Sequence, residues 1–189
     1  MKFKSVVVSV ALATALLAGC GAKEAEEKKE VQTPPAAQEQ KAEQVDVVTT
    51  ASLVNEEAAF LKAISKDGTW IVCTLEDMKI DKELVLEGEF HNKNDAAQPL
   101  YRKLALYAQD ADHKVTARYT LTAPKLTIKS PNAKIQGGTF KGDVYVEANG
   151  FIVQDAKIEG NVYFANEEFK STFKTEKEGT VTGTTEVKQ

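Results

Sequence analysis

The spacing of apolar residues changes character at Gly68. Before it, Phe60, Leu61 and Ile64 form a stripe at helical spacing, with Ala58 and Ala59 beside it. Asn55 is the expected N-cap, Glu56 and Glu57 put negative charge in the first turn, and Lys62 and Lys66 put positive charge toward the last. With Gly68 as the stop, the pattern predicts a helix over residues 53–66. After Gly68, short Val/Ile/Leu/Tyr/Phe runs alternate with Gly, Asn, Asp and Pro, which is the texture of strands and turns.

The strand region repeats itself. Ile135, Gln136, Phe140, Gly142, Val144 and Tyr145 recur 18 residues later as Val153, Gln154, Ile158, Gly160, Val162 and Tyr163. Leu126-Thr127-Ile128 aligns with Val144-Tyr145-Val146 at the same interval, and Gly179-Thr180-Val181-Thr182 aligns with Gly160-Asn161-Val162-Tyr163 at 19. Inside the unit, Phe140, Val146, Ile152, Ile158 and Phe164 fall every six residues, each two places after a small or β-branched residue. Such a beat suits a three-sided coil whose triplets point both flanking residues inward and whose turns stack at the strand spacing of about 4.8 Å. The predicted fold is therefore mainly β: a single-stranded β-solenoid of about 18 residues per coil over residues 53–189, with the N-terminal helix capping its first edge. Thr69–Leu75, Leu84–Leu86 and Leu104–Leu106 are the expected earlier rungs, and Phe90–Leu100 reads as a surface loop. A β-sandwich or open sheet with two similar hairpins is the competing arrangement.

Over residues 120–183 this repeat resembles the bactofilin-type polymer-forming β-helix, whose coils are of similar length. The beat is also compatible with a left-handed hexapeptide helix. Here, however, Lys141, Glu147, Val153, Glu159 and Ala165 fill the position after each large residue, where that helix places Gly. Handedness stays open.

The first twenty residues have a different logic. Lys2 and Lys4 precede an apolar run from Val6 to Leu17, shorter than the ~20 residues needed to span a bilayer. A basic start, a short apolar stretch and small residues at a boundary form an export signal. The boundary Leu17-Ala18-Gly19-Cys20 closely resembles the lipobox of bacterial lipoproteins. The resemblance implies removal of residues 1–19 and diacylglycerol transfer to Cys20, with further acylation, such as palmitate, on the new N-terminus. Each acyl methylene adds ~0.8 kcal/mol of membrane affinity, and two chains anchor stably. Residues 20–52 are then anchor and tether: Gly21–Glu30 is dense in charge, Pro34-Pro35 follows, and no face can bury enough surface to offset chain entropy. The implied location is the extracytoplasmic face of a bacterial cell membrane. Gly21 after the anchor, by resemblance to enterobacterial sorting, permits an outer membrane.

Composition narrows the chemistry. The 189 residues carry 24 Lys+Arg against 28 Asp+Glu, so an acidic balance argues against a dedicated nucleic-acid binder. Two cysteines exclude a disulfide scaffold, and with Cys20 acylated Cys73 is left as a single thiol. Cys73 lies in the apolar run Trp70–Leu75, where a small buried hydrophobe is the simpler reading than a nucleophile. No nucleophile elbow, phosphate loop, zinc pattern or dinucleotide fingerprint is present.

The outward positions of the matched rungs are Thr127, Tyr145, Tyr163 and Thr182, a ladder that suits stacking on sugar rings or a partner protein, or simply strengthens adjacent strands. Asp143, Asp155 and Glu159 are the carboxylates available to a Ca²⁺ site or to an acid–base pair. Asp110, Asp112 and His113 form a turn-like cluster whose spacing fits no specific metal site, and His91 starts a polar loop. The expectation is a non-catalytic, membrane-anchored envelope lipoprotein whose β-solenoid is a scaffold or docking surface for envelope protein or glycan, or for a second copy, with no cofactor or metal. The alternative is a polysaccharide-acting β-helix enzyme using surface carboxylates, which rests on fold analogy. A ligand-binding lipoprotein of a transporter ranks last, since a solenoid lacks a cleft between lobes.

Overall fold

The computed structural model describes residues 51–188. Its elements run β1 (Ala51–Leu53), α1 (Glu57–Ile64), β2 (Ile71–Cys73), β3 (Met78–Lys79) and β4 (Leu84–Leu86). A 3₁₀ turn at Asn92–Asn94 follows, then β5 (Arg102–Gln109), β6 (Val115–Arg118), β7 (Thr120–Ile128), β8 (Ala133–Gly137) and β9 (Thr139–Val146). The chain closes with β10 (Ile152–Gln154), β11 (Lys157–Glu159), β12 (Val162–Phe164), α2 (Glu167–Ser171), β13 (Lys174–Glu176), β14 (Thr180–Val181) and β15 (Thr185–Val187).

The protein is mainly β, and its strands pair in parallel in two sheets among the described residues. One runs β1-β2-β5-β8-β10-β13, with β6 returning antiparallel along the end of β5. The other runs β14-β11-β9-β12-β15 and is extended by β7, which pairs β9, β3 and β4. The registers put Ile135 beside Val153, Phe140 beside Ile158, Val144 beside Val162 and Tyr145 beside Tyr163, the intervals of 18 read from the sequence. Thr127 likewise lies beside Tyr145.

Alternation along each strand sorts inside from outside. In the first sheet the middle residues Val72, Ile135 and Val153 are fully buried. In the second, Leu84 and Leu86, Val144 and Val146, and Val162 and Phe164 are buried while Val85, Tyr145 and Tyr163 face out. Triplets with both flanking residues inward thus recur through the second sheet, and in the first they occur around Lys103 and Lys134 but not at β10. The six-residue beat holds at Phe140, Val146, Ile158 and Phe164 and fails at Ile152, which is half-buried. Gly150, at φ 78°, turns the chain so that Phe151 and Val153 enter the core instead.

Insertions displace the ends of the pattern. Beyond β12 the interval widens to 23, Val162 beside Thr185 and Tyr163 beside Glu186, because α2 takes up chain before β13. Thr182, expected beyond Tyr163, instead follows β14 and donates its N–H to the Ile158 carbonyl (3.0 Å). Upstream, Leu84 lies beside Leu126 and Leu104 beside Ile135, so two of the three expected early rungs sit in different sheets, and the third, at Ile71–Cys73, lies beside β5 in the first. Residues 90–100 do form a loop, closed by a bridge between His91 and Leu100.

The helix begins later than the sequence suggests. Leu53 is the last residue of β1, held parallel to β2 opposite Cys73, so the chain arrives extended. Glu56 takes the N-cap position without a side-chain cap, and the Asn55 Oδ1 accepts the Leu75 N–H (3.1 Å) instead of capping the helix. Phe60, Ala63 and Ile64 bury against one core shared with both sheets.

Two local devices fix this arrangement. At one corner the backbone passes close to itself: a Cβ at Gly160 would fall on the Gly142 carbonyl oxygen, and one at Gly142 on the carbonyl oxygen of Ala123. Beside them, the Asp143 Oδ1 accepts the Asn161 N–H (2.8 Å), and the Asn161 Oδ1 accepts the Thr184 N–H (3.0 Å). The second device is Arg102, fully buried at the start of β5. Its Nη1 donates to the Glu87 carbonyl (2.6 Å) and its Nη2 to the carbonyls of Ala63 (2.7 Å) and Ser65 (3.2 Å), at the C-terminal end of α1. Its guanidinium lies 3.9 Å from the Phe90 ring centroid. Burial pulls it down to about 10, with the Glu87 carboxylate opposing, so it stays charged at neutral pH.

Gly160→Ala is expected to cost about 1–3 kcal/mol, the range for overpacking against atoms that cannot give way. A urea midpoint within error of the parent would show that the corner has slack. Arg102→Met removes the guanidinium donors from the Ala63 and Ser65 carbonyls at the helix end and from the Glu87 carbonyl after β4, and is expected to cost about 2–5 kcal/mol. Arg102→Lys, a point charge without the planar fork, should recover less than half of that by the same measurement.

Candidate binding surface

The outward ladder forms around two tyrosines. Tyr145 and Tyr163 are register partners whose buried flanks hold their side chains outward, and their ring centroids lie 5.0 Å apart with planes tilted by 48°. Tilted pairs of this kind contribute ~0.5–1.5 kcal/mol beyond area burial. Each ring also carries a lysine: Lys125 Nζ lies 5.3 Å from the Tyr145 centroid and Lys188 Nζ 4.3 Å from that of Tyr163. Lys125 in turn pairs with Glu83 at 2.6 Å, and that hydrogen bond raises the pKa of its ammonium group. Thr127, next in the column, is buried, and Glu186 takes the place expected for Thr182. The surface is therefore two half-buried tyrosines with a lysine on each ring, shorter than a four-residue ladder, and with Glu83 and Glu186 close by its charges are nearly balanced.

The three expected carboxylates do not converge on one another. Asp143 is occupied at the corner, where its Oδ1 also accepts from Asn161 Nδ2 (3.0 Å). Asp155 receives both arms of Arg118: Nη2 donates to its carboxylate (2.9 and 3.0 Å) and Nη1 to its backbone carbonyl (3.0 Å). Glu159 lies between Lys157 (2.7 Å) and Lys141 (3.5 Å), and the Lys157 hydrogen bond, aided by both charges, lowers its pKa. Such partners hold all three as hydrogen-bond acceptors and ion-pair members.

The remaining candidates sit apart. Asp110 turns the β5–β6 hairpin, its Oδ1 accepting the N–H groups of Asp112 (3.0 Å) and Lys114 (2.9 Å), while His113 sits at φ 63° in the same turn. His91 Nδ1 lies 2.6 Å from the Gln98 carbonyl and closes its own loop. Among the described residues no three His, Cys, Asp or Glu side chains gather in a way that could hold a metal ion. Cys20 lies outside the described residues.

One cluster escapes the sequence reading. Cys73 is half-buried, and burial raises the pKa of its thiol against the lowering effect of Lys103. Lys103 and Tyr107 interact with it electrostatically; farther along the same sheet stand Trp70 and Tyr101, with ring centroids 5.8 Å apart, and Lys134, 5.7 Å from the Tyr101 centroid. Lys103 and Lys134 occupy the same column 31 residues apart, an interval that the β5–β6 hairpin hides from a search at 18.

Comparison with protein-family models, with curated proteins and with solved structures finds no match.

A raised thiol pKa means less thiolate at neutral pH. In a Cys20→Ser chain, alkylation of Cys73 by iodoacetamide should be slower than that of glutathione at pH 7.5, and should rise only above the pH at which an ordinary thiol ionises. Lys103→Met removes the lowering charge and should slow the reaction further at a given pH. A rate faster than glutathione would show a reactive cysteine.

Proposed function

We propose that this chain is a lipid-anchored lipoprotein of the bacterial cell envelope, held through Cys20. Its β-solenoid, on this reading, is a non-catalytic scaffold or docking surface for envelope protein or glycan. Parallel strands stacked in register at intervals of 18 residues between β8 and β12, and at longer intervals where loops enter, support the solenoid part of the reading. The observation that carries the docking part is the tyrosine pair: register, not a loop, presents Tyr145 and Tyr163 side by side on a sheet face. A rigid outward pair of aromatic rings between cations suits lateral contact with a partner or a sugar ring. Against the polysaccharide-acting alternative stand the partners of its carboxylates. Asp143 serves the corner, Asp155 is forked by Arg118, and Glu159 is paired twice. A general acid needs a raised pKa, whereas that of Glu159 is lowered.

Two measurements in intact cells test the proposal. Labelling with an alkyne fatty acid should mark the parent chain and leave Cys20→Ser unlabelled; equal labelling would remove the anchor. A photo-crosslinker placed at Tyr145 or Tyr163 should capture a defined envelope protein or glycan, and one placed at Asp67, on another part of the surface, should not. Identical capture from both places would remove the docking face. Loss of a glycan-cleaving activity in Asp143→Asn, Asp155→Asn or Glu159→Gln would favour the enzyme.

A further inference from the structure

We propose that the outward face of the first sheet around Lys103 and Lys134 is a binding site for an acidic oligosaccharide. The two lysines are register partners on β5 and β8, so their side chains leave the sheet one strand spacing apart, ~4.8 Å. Like charges placed side by side in a sheet are destabilising unless something offsets them. Among the described residues nothing does: neither lysine lies within ion-pair distance of a carboxylate. Lys125, Lys141 and Lys157, on the other sheet, each have one.

The strand columns around the pair carry no acid next to it. In the lysine column the neighbours are Ile71 and Ile152, and in the next outward column Cys73, Ala105, Gln136 and Gln154. Along these columns the first carboxylate is Glu176, at the β13 edge; beyond Tyr107 the nearest is Asp155, which Arg118 already pairs. Lys134 gives one hydrogen bond to the Gln154 Oε1, and Lys103 gives none among the described residues. Burial lowers the pKa of the Lys103 ammonium group; Cys73 opposes that shift, and the charge of Lys134 adds a smaller lowering.

Aromatic rings flank the pair. Tyr101 lies 5.7 Å from Lys134 Nζ, and Tyr107 5.9 Å from Lys103 Nζ, measured to the ring centroids. Their positions on the chain are ~20 Å apart along the strand, a span that suits several sugar units rather than one small ion. Burial pushes the Tyr101 hydroxyl up to about 12, so it remains a donor at any ordinary pH. Ring faces that pack on sugar C–H groups, with ammonium donors between them for carboxylates, form the complement of a uronate chain. The whole protein is acidic, with a net charge of −4, so this basic patch is local rather than part of a general field. The site lies in a different sheet from Tyr145 and Tyr163 and does not depend on the lipid anchor.

The single tryptophan, Trp70, stands against Tyr101 and makes a built-in reporter. The full chain carrying Cys20→Ser is titrated with galacturonate trimer, with maltotriose as the neutral counterpart and sodium phosphate as the simple anion. The expected result is a saturable fluorescence change with the acidic trimer, weaker at higher salt, and absent or at least tenfold weaker with the other two. Lys103→Met and Lys134→Met should each raise the trimer's Kd about tenfold, while Lys79→Met, at an exposed pair with Asp81, leaves it unchanged. No saturable response, equal responses to trimer and maltotriose, equal responses to trimer and phosphate, or unchanged affinity in both lysine variants would each overturn the proposal. Salt dependence in the otherwise unmodified chain keeps the test valid if a variant folds poorly.

Discussion

The close approach of backbone to backbone at Gly142 and Gly160 is the constraint on which the arrangement of strands depends. At this corner each carbonyl oxygen occupies the space that a side chain would need in the next strand's residue. The adjoining Asp143 and Asn161 turn the same proximity into bonds, each side-chain oxygen taking a backbone N–H from the segment that follows it in the stack. A one-residue slip would put Asp143 or Asn161 where only glycine fits and would turn buried Val144 and Val162 outward. Sterics, hydrogen bonding and burial therefore favour the same register.

That register holds while chain length varies around it. The loop at 90–100, the β5–β6 hairpin and α2 all enter between strands and leave the pairing on either side parallel. Arg102 shows how one insertion is tied down. Its guanidinium reaches the end of α1 and the turn at Glu87 from the first residue of β5, with Phe90 against its face. A buried charge is costly unless its donors are met. Here carbonyl dipoles at a helix C-terminus, favourable to a cation, and the Glu87 carbonyl take up the two Nη groups in place of a carboxylate, while Nε has no partner among the described residues.

How far the sequence disclosed this follows from what each feature requires. The matched rungs were legible because Val144 and Val162, Tyr145 and Tyr163, and Gly142 and Gly160 are the same residue types at one interval, and each type has a reason to recur at its place. Ile152 misled because an apolar residue at the expected count is still turned outward when Gly150 shifts the alternation by one. Thr182 misled because a match at Gly179 and Val181 alone cannot reveal that α2 has lengthened the interval to 23. Asn55 has the composition of a helix cap, yet tertiary contact with Leu75 claims its side chain. Arg102 gave no signal at all, since a basic residue beside Tyr101 and Lys103 reads as surface until the helix end is placed over it.

The same distinction separates the two polar faces. On the second sheet, cations and carboxylates come in pairs: Lys125 with Glu83, Lys141 and Lys157 with Glu159, Lys129 with Glu147. Exposed pairs of this kind contribute little to stability, ~0–1 kcal/mol each, but they leave little net charge to recognise. On the first sheet Lys103 and Lys134 stand together without such partners, half-buried and flanked by aromatic rings. Folding gains ring contacts and one hydrogen bond from that placement but bears the repulsion between the two charges, whereas an incoming anion would meet both at once. The face that is electrostatically incomplete in the free protein is therefore the one with most to gain from a ligand.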